Sequence, residues 1–213
     1  MEVIPAINCE DVGCVQEKLA RVRELGSPWV HFDVTDGHFT KPRTWNDPAV
    51  LKDMGGGLPK IEVHLMVDEP EEFLGAWVGA GARRVLLHVE SIRDSEELTK
   101  FHLDTLELGV VVLPKTPVSE ILPYINGEIA RLGFVQFLAV PPGPSGQTFD
   151  VAIVDKIKEL LAAYPGIVVE VDGGITPETA KLVSDAGASV VVSSSYVWEH
   201  EDAKKALKEL EDV

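Results

Sequence analysis

GIVVEVDGG, residues 166–174, is the stretch whose reading decides the fold. Alternation along an extended chain sends Val169 and Val171 to one face and Glu170 and Asp172 to the other, and Gly173-Gly174 ends the run. The apolar face has to meet a packed layer, so the carboxylates point the other way. PWVHFDV (28–34) repeats the device, with Val30, Phe32 and Val34 opposite His31 and Asp33. In KIEVHLMV (60–67) the apolar set is Ile61, Val63, Leu65 and Val67, leaving Glu62, His64 and Met66 on the other face, and in RRVLLHVE (83–90) that face carries Leu86, His88 and Glu90.

Further β-branched runs, VIPAIN (3–8), GVVVLP (109–114), FVQFLAV (134–140) and ASVVVSSS (188–195), bring the total to eight, each followed by a segment able to form a helix. Dividing 213 residues among them gives roughly 27 per unit, near the lower limit for a strand, a helix and their connections. No linker or low-complexity tract interrupts the rhythm, so residues 1–213 are expected to form one domain, a closed (β/α)8 TIM barrel of the α/β class. A doubly wound open sheet usually carries a glycine-rich turn after its first strand, and CEDVGC (9–14) is not one. Helix starts fit the count: Asp68 is expected to cap a helix opening Glu69-Pro70-Glu71, with Phe73, Leu74, Trp77 and Val78 as its buried stripe, and Thr176-Pro177-Glu178 repeats the pattern.

A net charge of −16 repels phosphodiester backbones and anionic lipid, which argues against nucleic-acid or membrane partners. The two cysteines, Cys9 and Cys14, lie five apart without a metal-binding spacing; free thiols in a reducing cytoplasm are expected. The opening residues lack a signal-peptide pattern, and no apolar run approaches the roughly 20 residues of a membrane span.

Four strands thus aim ionisable side chains into one interior, at the end where barrels of this type keep their chemistry. Burying such groups without partners costs several kcal/mol each, so charged or metal partners are expected. Two imidazoles with two carboxylates form a natural set for a divalent ion such as zinc, iron(II) or manganese.

The blocks HFDVTDGHFT, EVHLMVDEPEEF, VPPGPSGQTF and VEVDGGI, in this order and spacing, resemble the ribulose-phosphate 3-epimerase family, whose pattern runs HxDxMDGxF, HLMV, VxPGFGGQxF and EVDGG. The match spans the whole barrel. It implies one divalent metal held by His31, Asp33, His64 and Asp172, with Asp33 and Asp172 as the acid/base pair. It implies interconversion of D-ribulose 5-phosphate and D-xylulose 5-phosphate, an isomerase reaction of the pentose phosphate pathway, by proton transfer at C3 through a metal-stabilised enediolate. By the same analogy His64 contacts substrate, Gly143, Pro144, Ser145 and Gly146 form a covering loop, and Gly173, Gly174, Ser194 and Ser195 hold the phosphate. Family members commonly associate, so a homo-oligomer is expected, with Trp45, Trp77 or Trp198 at a contact or in the helix layer.

The chain departs from the family where substrate is chosen and held. Ala6 replaces the serine of PSILSAD, Asn8 brings a polar group two residues on, Thr35 and Leu138 stand at roofing methionines of which Met66 remains, and Pro144, Ser145 and Ser194 alter the phosphate loops. A 3-epimerase of a six-carbon ketose phosphate such as allulose 6-phosphate, and a phosphosugar-binding barrel without turnover, are the competing expectations. Barrel decarboxylases and aldolases usually rely on a lysine that the inward set lacks. His38, His88 and Glu90 stay outside the assigned site.

Overall fold

The computed structural model describes residues 1–101, 106–127, 129 and 132–213. Eight parallel strands, β1 (Glu2–Ile7), β2 (Trp29–Thr35), β3 (Lys60–Met66), β4 (Ala82–His88), β5 (Glu107–Val112), β6 (Phe134–Leu138), β7 (Val168–Asp172) and β8 (Val190–Ser193), pair in sequence order and close as β8 meets β1. Each of the eight runs is a strand, and apart from the segment after β4, which among the described residues forms a 3₁₀ turn (Ser95–Lys100) rather than an α-helix, the barrel is the expected one. Around it lie α1 (Val12–Leu25), α2 (Pro48–Asp53), α3 (Leu74–Gly79), α4 (Leu122–Ile125), α5 (Ile153–Ala163), α6 (Pro177–Ala186), α7 (Ser195–Trp198) and α8 (Ala203–Glu211).

Two apolar layers follow from the alternation. Val30, Phe32, Val34, Ile61, Val63, Leu65, Val169 and Val171 join the large core between sheet and helices. Ile4, Ala6, Leu86, Val111, Phe134, Leu138 and Val192 pack within the barrel itself. Trp77, fully buried on α3, meets Phe32 of β2 and Trp45, with ring centroids 6.4 and 6.3 Å away. These two tryptophans belong to the helix layer.

Local capping is partly as expected. Thr176 and Thr179 form a reciprocal capping box at α6, which begins with Pro177. Asp68 does not cap a helix. Its N–H donates instead to Asp36 Oδ2 at 2.9 Å, tying the end of β3 to the turn after β2, and the chain then passes through Glu69, at φ 52°, into a 3₁₀ turn (Pro70–Phe73) before α3. The stripe survives this change, with Leu74 and Trp77 buried and Phe73 and Val78 packed beside them.

The expectation of free thiols is overturned: Cys9 and Cys14 form a disulfide. Asp11 caps α1 through the Cys14 N–H, and this turn carries the first helical residues back over the end of β1, leaving the two Cα atoms 5.7 Å apart. The cysteine pair therefore gives no argument for a reducing compartment. No helix among the described residues is long and apolar enough to cross a membrane.

Candidate active site

Asp172 ends β7, Asp33 and His64 stand in the C-terminal halves of β2 and β3, and His31 lies one inward position below Asp33 on β2. Register brings them together, since Asp33 lies beside His64 and Asp172 is reached across the barrel. His31 Nε2 is 3.2 Å from Asp33 Oδ1; His64 Nδ1 is 3.3 Å from the same oxygen and 3.6 Å from Asp172 Oδ2. One atom from each of the four residues fits within a 4.8 Å cluster. Both imidazoles are fully buried, whereas the carboxylates are part exposed and line the cleft above.

The outer nitrogens of the imidazoles are held separately. His31 Nδ1 lies 2.6 Å from Glu62 Oε1, and Glu62 is bound in turn by Arg84. Arg84 also reaches Glu107 at 2.8 Å and Glu170 at 3.8 Å, with its guanidinium 4.4 Å from the Trp29 ring centroid and 3.9 Å from that of Phe134. His64 Nε2 lies 2.9 Å from His88 Nε2, His88 Nδ1 lies 3.2 Å from Glu90 Oε2, and Glu90 accepts from Thr116 and from the Leu113 N–H. A carboxylate only accepts, so Glu90 assigns the Nδ1 proton to His88 and leaves its Nε2 as an acceptor. His64 must then donate from Nε2. Its Nδ1, buried and without a hydrogen bond, is the nitrogen turned toward Asp33 and Asp172. Glu62 holds His31 Nδ1 in a comparable way, and the other ring nitrogen, Nε2, faces Asp33 Oδ1 at 3.2 Å.

Electrostatics follow this wiring. Burial alone would raise Asp33, but the imidazoles of His31 and His64 hold its carboxyl well below the usual carboxylate range. Burial opposes charge on His31, yet Asp33 and Glu62 raise it well above the ordinary histidine value; Asp172 and Asp33 outweigh burial at His64 in the same way. His88 goes in the other direction. Burial, assisted by His64 and only partly offset by Glu90, lowers it to about 4, while hydrogen bonds from His88, Thr116 and Leu113 overcome burial to bring Glu90 down to about 2. Below them, burial and the charge of Glu62 push Glu170 well up.

The cleft over this cluster encloses about 530 Å³, including its open mouth. Gly143, Pro144, Ser145 and Gly146 line it together with Gly173, Gly174, Ser194 and Ser195. Gln147 Nε2 fastens the first loop by donating to the carbonyls of Pro141 and Pro144, at 2.7 and 2.9 Å. All the expected loop residues therefore meet at one opening. His64 is fully buried and is not among the residues lining the cleft, although it contacts Asp33 and Asp172, which are. Met66 and Leu138 do line it, whereas the Thr35 hydroxyl is spent on the Pro42 carbonyl. His38 is exposed on the loop after β2, away from the cluster. Strand parity places Glu62 on the inward face, but its ion pair with Arg84 on the next strand has no signal in the sequence, so neither residue is among those expected at the site.

The fold and this cluster define a class: a (β/α)8 barrel enzyme with a candidate metal site at the C-terminal face of the barrel. A solved structure of 3-hexulose-6-phosphate synthase shares the fold, at TM-score 0.67 and 17% identity, over 100% of this chain and 99% of the other. Residues 2–198 match the profile of the Ribulose-phosphate 3 epimerase family. The chain belongs to that family, whose members are isomerases acting on carbohydrate phosphates. Ribulose-phosphate 3-epimerase of Bacillus subtilis is 33% identical over 99% of this chain and 98% of its own length, and that of Schizosaccharomyces pombe 32% identical over 98% and 92%.

Proposed function

We propose that residues 1–213 form one catalytic domain that interconverts D-ribulose 5-phosphate and D-xylulose 5-phosphate, with Asp33 and Asp172 transferring the C3 proton. The observation that carries this reading is the pair of part-exposed carboxylates on β2 and β7, facing one cleft from different sides of the barrel. Inversion at a carbon beside a ketone requires a base on one face and an acid on the other. One aspartate withdraws the proton, the planar enediolate forms, and the other aspartate, protonated, delivers from the opposite face. The reverse reaction exchanges their roles.

A divalent cation fits the residues present. His31 Nε2 and His64 Nδ1 converge with the Asp33 and Asp172 carboxylates, a donor set from which a divalent ion would displace imidazole protons, and the buried His64 Nδ1 has no hydrogen bond to satisfy it. His31, Asp33, His64 and Asp172 would hold the ion, and Glu62 and His88 fix the orientation of the imidazoles. When bound, it supplies a Lewis acid that stabilises charge developing on the substrate's ketone oxygen, worth several kcal/mol.

Phosphate is assigned to Gly173, Gly174, Ser194 and Ser195, and the loop Gly143 to Gly146 excludes water from the reacting carbon. Gly174 has φ +65°, and a Cβ there would fall 2.9 Å from Phe149 N and Cβ. Gly174→Ala is therefore expected to displace the chain at Phe149 and raise KM by roughly tenfold, with kcat less affected. Steady-state kinetics separate the two; an unchanged KM removes Gly174 from the phosphate site.

The reaction itself is tested by incubating metal-analysed protein with D-ribulose 5-phosphate in deuterium oxide and following C3 by NMR. Xylulose 5-phosphate carrying deuterium at C3 is the expected product. Exchange without epimer would leave a single working base, and no signal from metal-loaded protein would overturn the assignment in favour of a six-carbon ketose phosphate or a binding barrel.

A further inference from the structure

Asn8 directly follows β1 and lines the same cleft as Asp33, Asp172 and Ser194. Its side chain is oriented by a cation. Lys18 Nζ, reaching from α1, donates to Asn8 Oδ1 at 3.1 Å, and an ammonium has only donors to offer. The contact fixes the amide with its oxygen toward Lys18 and its NH2 turned away. Among the described residues that NH2 makes no hydrogen bond.

The Lys18 side chain is itself confined. It is half-buried, with Nζ 5.8 Å from the ring centroid of Trp198, and the Trp198 indole donates to the Ala6 carbonyl at 2.6 Å. Trp198 ends α7, the helix that opens with Ser195 of the cleft. Thus α1, β1 and α7 hold the Asn8 amide between them. Its position along the rim matters, because β1 pairs with β8 on one side and β2 on the other. A ligand reaching from Ser194 and Ser195 beyond β8 to Asp33 on β2 passes Asn8.

We propose that Asn8, held by Lys18, is a specificity-determining residue of this cleft, its NH2 donating to the oxygen on the carbon between the phosphate-bearing and reacting carbons of the substrate. For a pentulose 5-phosphate reacting at C3, that oxygen is the C4 hydroxyl. The inference rests on the reading under Proposed function that the cleft takes a phosphorylated ketose. A donor placed there rejects an analogue lacking the oxygen, because its own hydrogen bond goes unmade once water is displaced.

The test compares D-ribulose 5-phosphate with its 4-deoxy analogue, using solvent deuterium entering C3 as the readout for wild type, Asn8→Leu, Lys18→Met and Lys18→Arg. Wild type is expected to favour the hydroxylated substrate, and Asn8→Leu to lose roughly tenfold in kcat/KM for it while losing little for the deoxy compound. Lys18→Met, which leaves Asn8 in place but releases its amide, is expected to lose roughly threefold in the same selective way, and Lys18→Arg to keep the wild-type preference. An active wild type with Asn8→Leu unchanged overturns the inference alone. So does an Asn8→Leu that loses equally on both substrates or only lowers Tm. A wild type that turns over no pentulose phosphate overturns the functional reading and this inference with it.

Discussion

Asp172→Asn is expected to lower kcat by roughly 10²–10⁴-fold while leaving KM within a few-fold, the range associated with loss of a general acid/base. The amide is nearly isosteric and keeps an oxygen facing His64 Nδ1, so the cluster should stay assembled. Asp33→Asn is expected to cost at least as much, because Asp33 Oδ1 lies within 3.3 Å of both imidazoles and its loss also disturbs the metal-binding set. The sharper observable is exchange. With one base removed, the remaining aspartate still serves one face, so one variant is expected to exchange the C3 hydrogen of ribulose phosphate with solvent and the other that of xylulose phosphate. Near-wild-type turnover in either variant, or both exchanging the same epimer, would falsify the pair as opposed acid and base.

Removing bound metal with a chelator is expected to lower turnover by roughly 10²–10⁴-fold, since a Lewis acid at the ketone contributes several kcal/mol of barrier. Restoring a divalent ion at about a hundred times its Kd stabilises the fold by about 2.7 kcal/mol, which for a chain of this length raises Tm by roughly 5–10 °C. His64→Ala is expected to reduce both metal stoichiometry and that thermal gain. If His64 were only a core residue, the variant would melt lower yet bind a full equivalent of metal. The thermal measurement needs no substrate, so it checks the site even if turnover is never seen.

Most of the barrel was legible because period-2 alternation in a strand is dictated by backbone geometry, and GIVVEVDGG or WVHFDV leaves no ambiguity about which residues share a face. The same alternation exposed His31, Asp33, His64 and Asp172 as an inward set, while their convergence within 4.8 Å came from register, which pairs Asp33 with His64. Contacts made by side chains across strands were not legible. The link from Arg84 to Glu62 and the one from His88 to His64 depend on which strand lies alongside and at what stagger. The disulfide was missed because a spacing of five says nothing until a capped helix turns Cys14 back over Cys9. The cap assigned to Asp68 failed for a related reason: a distant carboxylate, Asp36, competed for that stretch of backbone.

Arg84 lies inside the barrel, stacked between Trp29 and Phe134 and bound to Glu62 and Glu107. Among the described residues these side chains fill the barrel below the reactive residues, which leaves the cleft at its C-terminal face as the way in. Substrate and product queue at the same mouth, each turnover must empty the chamber before the next begins, and accumulated product competes directly for entry. The filled interior around Arg84 stands apart from that traffic and contributes to stability.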